Sequence, residues 1–212
     1  MIGKIYLFFL NLIRSSKVAT YLIWGLKINK YYHSTFWDLT SLVIKKELNF
    51  IKKKKYLDMG CGQFAILGQY YKKKKLDSIV ISVDIYEDFV NNSLENSKNN
   101  KNKIEIFQSD LFENINGKFD LISFNPPYVP KEENDKIQYF KTRYGGKDGT
   151  EIMSLFLEQA KNFLLPDGKI ILGVNSFYVS KEKCLNLIKK YGYEVKKITK
   201  IFLNTSIVFV LE

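Results

Sequence analysis

From residue 55 onward, short apolar runs alternate with longer segments whose apolar positions recur at helical spacing. Residues 56–59 make a brief strand that ends in glycines, residues 64–71 a helix, and residues 78–84 (SIVISVD) a continuous apolar strand of the kind buried on both faces. The alternation continues with a helix over 87–98, a strand over 104–108 and a second buried strand over 119–124 (FDLISF). Thr150 stands where an N-cap should, ahead of a long helix carrying Ile152, Phe156, Ala160, Phe163 and Leu164. Pro166-Asp167-Gly168 then turns the chain into a strand over 169–174. After a last helix near 181–191, residues 194–202 and 207–211 read as two strands joined at Asn204-Thr205, an antiparallel hairpin at the sheet edge. Strands alternating with helices predict an α/β fold of the Rossmann-like, doubly wound kind, a mostly parallel sheet with helices on both faces. Upstream, Trp37, Leu39, Leu42, Val43 and Leu48 place an amphipathic helix in 34–51 that leads into the sheet.

Length and composition limit this pattern to one core, since 212 residues with 46% hydrophobic types fill one well-buried domain and not two. Residues 1–50 are therefore expected to be a helical extension packed on a domain over 51–212. Within the extension, residues 5–13 (IYLFFLNLI) lack a cleavage site, because Arg14 and Lys17 follow directly. Asn11, Arg14 and Lys17 also cut the run below the roughly 18 to 20 residues of a spanning helix. The plain expectation is a helix packed on the domain; the sharper one is a helix that meets a membrane surface or a partner. Cys61 and Cys184 are the only cysteines, far apart and without ligand spacing, which points to a reducing, cytoplasmic compartment and to no protein-borne metal. The lone His33 reads as structural.

A net charge of +11 raises the question of nucleic acid, yet only Arg14 and Arg143 are arginines, and the lysine, asparagine and isoleucine content fits an AT-rich genome. Lysine runs 52–55 and 72–75 precede strands, so both belong at the amino-terminal edge of the sheet. The segment 131–149 is nearly neutral, with Lys131, Lys136, Lys141, Arg143 and Lys147 set against Glu132, Glu133, Asp135 and Asp148.

Ligands of such sheets bind beyond the carboxyl ends of the strands. The turn after the first strand is Asp58-Met59-Gly60-Cys61-Gly62, whose glycines let backbone approach a ligand at the amino end of the next helix. Asp84, followed by Ile85, ends the next strand, where a carboxylate can accept two ribose hydroxyls; Asp110, followed by Leu111, ends the third, where it can accept an adenine amino group. After the fourth strand comes Asn125-Pro126-Pro127-Tyr128. Two prolines stiffen the backbone and remove donors, leaving carbonyls between an amide side chain and an aromatic ring. Such a group suits a planar NH2: the Asn125 oxygen and the Pro126 carbonyl each accept one hydrogen, and Tyr128 stacks on the plane. Cys61 has no readable base partner and stays a structural thiol.

Together, Asp58 to Gly62 and Asn125 to Tyr128 resemble the class I methyltransferases that move a methyl group from S-adenosylmethionine (SAM) to an amino nitrogen. Gly145-Gly146-Lys147-Asp148-Gly149 and the run 151–163 resemble, within them, the HemK group of glutamine N5-methyltransferases acting on peptide release factors, in its compact form. The resemblance covers residues from about 33 to 212. It implies a seven-stranded sheet, a SAM site at Asp58, Gly60, Cys61, Gly62, Asp84, Ile85, Asp110, Leu111 and Asn125, and an acceptor site at Asn125, Pro126, Pro127 and Tyr128. It also implies a small zinc-ribbon partner protein. The chain departs from the family at Phe64, where a third glycine is usual. Two other readings stay open: methylation of adenine N6 or guanine N2 in nucleic acid, and a binding subunit without catalysis in which Phe64 closes the cofactor turn.

Overall fold

The computed structural model describes residues 2–28, 35–130, 142–200 and 205–212, with side chains from Phe8 onward. His33 and the charged residues of 131–141 lie outside the described residues. Strands β1 (Lys55–Met59), β2 (Ile79–Asp84), β3 (Glu105–Gln108), β4 (Phe119–Phe124), β5 (Leu164–Asn175), β6 (Val195–Lys200) and β7 (Ser206–Leu211) form one seven-stranded sheet of order β3-β2-β1-β4-β5-β7-β6. Strands β3 to β5 in that order run parallel, and β7 lies antiparallel between β5 and β6. The expected antiparallel pairing is present, with only β7 reversed and β6 as the edge strand, while residues 201–204, including the expected joint at Asn204, lie outside the described residues. Burial explains the placement: every residue of β7 is buried, whereas β6 exposes Lys196, Lys197 and Lys200, as suits an edge strand.

Successive strand residues feed two cores, as the period of two requires. Leu57, Phe124, Ile170, Leu172 and Phe209 pack on one face against helices α6 (Glu151–Ala160) and α7 (Lys181–Lys190). Tyr56, Leu121, Ile171 and Val208 pack on the other against α3 (Leu39–Phe50) and α4 (Ile66–Lys74), with Trp24 and Trp37 completing that layer. Helix α5 (Glu87–Asn99) covers the β2–β3 end through Val90 and Leu94.

Three expectations need correction. Helix α6 stops at Ala160; Phe163 belongs to a 3-10 turn and Leu164 to the start of β5, so β5 runs through Pro166-Asp167-Gly168 instead of beginning after it. Phe163 leaves the helix because its ring stacks on Phe112 at 4.4 Å, and the strand tolerates the proline where its register against β4 shifts. Thr150 is the N-cap residue but does not cap with its side chain; its hydroxyl donates to Asp148 at 2.6 Å instead. The N-terminal segment makes helices α1 (Ile2–Arg14) and α2 (Lys17–Trp24), and only the second is well seated. Ser16 caps α2, and its Thr20 and Trp24 are buried, while Phe8, Phe9, Leu12 and Ile13 of α1 are exposed.

Candidate active site

A cleft of about 1220 Å³ opens at the carboxyl ends of β1, β2, β3 and β4, where the strand order reverses around β1. It gathers every residue singled out from sequence: Asp58, Gly60, Cys61 and Gly62 after β1, Asp84 and Ile85 after β2, Asp110 and Leu111 after β3, and Asn125 to Tyr128 after β4.

The turn after β1 is shaped to leave room. Gly62 has φ +66°, and a Cβ built there would meet nothing within 4 Å, so its open side faces the cleft. Phe64, the departure from three glycines, does not fill this space. Its ring is buried, meets Phe36 edge-on at 5.2 Å and lines the cleft together with it, while staying more than 4 Å from a Cβ at Gly62. Asp84 holds the turn: its Oδ2 accepts from Gly62 N at 2.9 Å and its Oδ1 from Tyr86 N at 3.1 Å. Burial pushes its pKa up, opposed by those backbone donors. A carboxylate offers about four acceptor positions, of which the Gly62, Tyr86 and Ile85 amides occupy up to three.

Asp58 lines the cleft but turns its carboxylate inward. Oδ2 accepts from Gly68 N at 3.0 Å and Oδ1 from the Ser123 hydroxyl at 3.2 Å, beside a 2.6 Å contact between Ser123 and the Tyr56 hydroxyl. Full burial raises its pKa to about 7. Burial likewise pushes the Cys61 thiol well above its usual range, with Asp84 and Asp58 adding to the effect, so this cysteine is no nucleophile. Asp110 is exposed on a loop in which Leu111 takes φ +44° and the Ser109 hydroxyl ties Leu111 O and Asn114 N.

The loop from Asn125 to Tyr128 is held from two sides. Asn125 Nδ2 donates to Asp38 Oδ2 at 2.9 Å, and Asn125 Oδ1, buried, has no hydrogen-bond partner among the described residues. Below, Val129 N donates to Arg143 O and Gly145 N to Val129 O, at 2.8 and 2.9 Å. The glycines of 145–149 permit that contact, since a Cβ at Gly145 would stand 2.4 Å from Pro127 O and one at Gly149 2.5 Å from Tyr128 O. Tyr128 stacks on Tyr178 at 5.9 Å, with its hydroxyl bonded to Thr40, so part of its ring is already engaged inside the protein. Asp38, Thr40 and Tyr178 were missed in the sequence. Asp is a common N-cap type, and its place just ahead of the apolar positions of α3 is the signal that could have found Asp38, but nothing local ties it to Asn125.

Over residues 31–202 the sequence matches the methyltransferase small domain family. The chain belongs to this family. A Methanocaldococcus jannaschii protein, provisionally named a protein N5-glutamine methyltransferase, is 38% identical over 160 residues, 74% of this methyltransferase and 79% of that protein. The release factor glutamine methyltransferase of Borreliella burgdorferi is 39% identical over 150 residues, 66% of this chain and 51% of the relative, so the chain spans about half that protein's length. Among solved structures, a methyltransferase from Pyrococcus furiosus shares the fold of this methyltransferase with a TM-score of 0.68 and 22% identity, over 100% of this chain and 98% of that one. Among the described residues no helix is long and apolar enough to cross a membrane.

Proposed function

We propose that this methyltransferase takes a methyl group from SAM and places it on the side-chain amide nitrogen of a protein glutamine, in a substrate of the release-factor type. The observation that carries the reading is Asn125 Oδ1, a buried acceptor without a partner, lining the same cleft as the open turn at Gly62. An unsatisfied buried acceptor costs about 1 to 3 kcal/mol, an expense a protein keeps where a ligand supplies the donor.

The residues fit SAM. Gly60, Cys61 and Gly62 would lie along it, Asp84 would take its ribose hydroxyls beside Ile85, and Asp110 with Leu111 would take the adenine. Asp58 would serve from beneath by fixing Gly68 at the start of α4. SAM supplies an electrophilic methyl group. The chain's own part is to hold the amide: Asn125 Oδ1 accepts one hydrogen and the Pro126 carbonyl the other, which draws the nitrogen lone pair out of conjugation with the carbonyl and toward the methyl group. After transfer the surplus proton leaves to water, and no side chain need act as a base.

Charge placement favours protein over nucleic acid. Lys53 donates to Asp167 O at 3.0 Å and Lys72 to Leu76 O and Ser78 O at 2.7 and 2.6 Å, all at the amino ends of the strands, away from the cleft. The relatives named as glutamine methyltransferases support the same choice. The test is to incubate the chain with methyl-labelled SAM and release factor, RNA or DNA. Label on one glutamine of the release factor is expected; label only on nucleic acid would overturn the substrate class. Asn125→Ala should lower kcat by about 100- to 1,000-fold while the Kd for SAM stays unchanged.

A further inference from the structure

A carboxamide has two ends of nearly equal size, and only the oxygen can accept the hydrogens of an NH2 group. Something must therefore hold Asn125 the right way round. Beside Asn125, and lining the same cleft, stands Asp38, the N-cap of the 12-residue helix α3, with φ −119° and ψ 174°. Its Oδ1 accepts from Ser41 N at 2.7 Å and from the Ser41 hydroxyl at 2.8 Å, and its Oδ2 is left to Asn125 Nδ2 at 2.9 Å. An ionised carboxylate only accepts, so Asn125 can meet it only with its NH2 end, and Oδ1 is turned to the other side, where it is buried and partnerless.

We propose that Asp38 is the positioning residue that sets the polarity of the Asn125 amide. This rests on the reading of Asn125 as acceptor of the substrate amide. The same helix end also reaches Tyr128 through Thr40, so α3 orients both ends of the acceptor loop.

The decisive substitution is Asp38→Asn. The new amide keeps an oxygen for Ser41 N, so the helix stays capped. Its NH2 end now faces Asn125, which must answer with Oδ1 and turn NH2 toward the cleft. With SAM and release factor as above, kcat should fall about 100-fold or more, with Kd for SAM and melting temperature near the parent values. Adding Asn125→Asp should recover at least about tenfold of that loss, because an acceptor oxygen again faces the cleft. A purely structural Asp38 predicts no recovery. Parent kcat in Asp38→Asn, alongside an inactive Asn125→Ala, would overturn the proposal while leaving the proposed function standing; full activity of Asn125→Ala would overturn the function beneath it. A readout independent of any substrate is the side-chain NH2 resonance of Asn125 in 15N-asparagine-labelled protein. It should move upfield and exchange faster in Asp38→Ser, which keeps the cap, and an unmoved resonance would overturn the proposal.

Discussion

Asp58 shows how far one buried group sets the behaviour of the cofactor turn. Its folded pKa of about 7 stands above the usual 3.8, so the folded state binds its proton more tightly than the unfolded chain. The stabilisation is complete below about pH 4, declines as pH rises through the window from about 4 to 7, and is gone above it. Asp58→Asn cannot titrate and can still accept from Gly68 N. Melting temperatures measured across this window should therefore fall with rising pH more steeply in the parent than in the variant; parallel curves would contradict the assignment. A second residue-scale expectation concerns Gly62→Val. At φ +66° a β-branched residue is strained by about 1 to 3 kcal/mol. Because its side chain would point into open cleft, SAM binding should weaken well beyond what the lowered melting temperature accounts for. The open turn at Gly62 was legible in the sequence, since two glycines after a strand advertise a close backbone approach. That of Asp38 was not, because the bond to Asn125 spans 87 positions and no local pattern records it.

Elements divide along the same line of local against distant causes. Strands β2 and β4 were readable as buried because both faces are covered and apolar residues run without a break. The end of α6 was not, because its periodicity continues through Phe163 and Leu164 while ring stacking on Phe112 and pairing of Leu164 with Phe119 decide otherwise. Tertiary contacts override helical propensity there. The glycine run 145–149 was legible only as a likeness to a family, and the structure supplies its reason: backbone at Gly145 lies against backbone at Pro127. Gly145→Ala would force its Cβ to 2.4 Å from Pro127 O and 2.6 Å from Gly149 O, both main-chain atoms that cannot step aside as a side chain would. The acceptor loop should shift instead. Kinetics should then show a fall in kcat of about tenfold or more, with the Kd for SAM unaffected, because the turn after β1 is a separate contact.

At the scale of the whole molecule, the two cores that clamp the sheet begin in sequence at Trp24. Helix α1 lies outside both. Its Leu10, Asn11 and Arg14 line the cleft, and Arg14 donates to Trp37 O at 2.8 Å and to the Thr35 hydroxyl at 3.1 Å, while Phe8, Phe9, Leu12 and Ile13 on its other side are exposed. A helix in that position forms part of the cleft wall, and its described side chains stay outside both cores. Deleting residues 1–13 should accordingly leave the melting temperature within a few degrees of the parent and the Kd for SAM unchanged, since none of the described side chains in this stretch, Phe8 to Ile13, belongs to either core. The KM for the protein substrate should rise, because part of the cleft wall is gone, and the loss of exposed apolar side chains should make the chain more soluble. Global unfolding of the shortened chain would show that α1 belongs to the core after all. An unchanged KM would show that the substrate enters the cleft from another side.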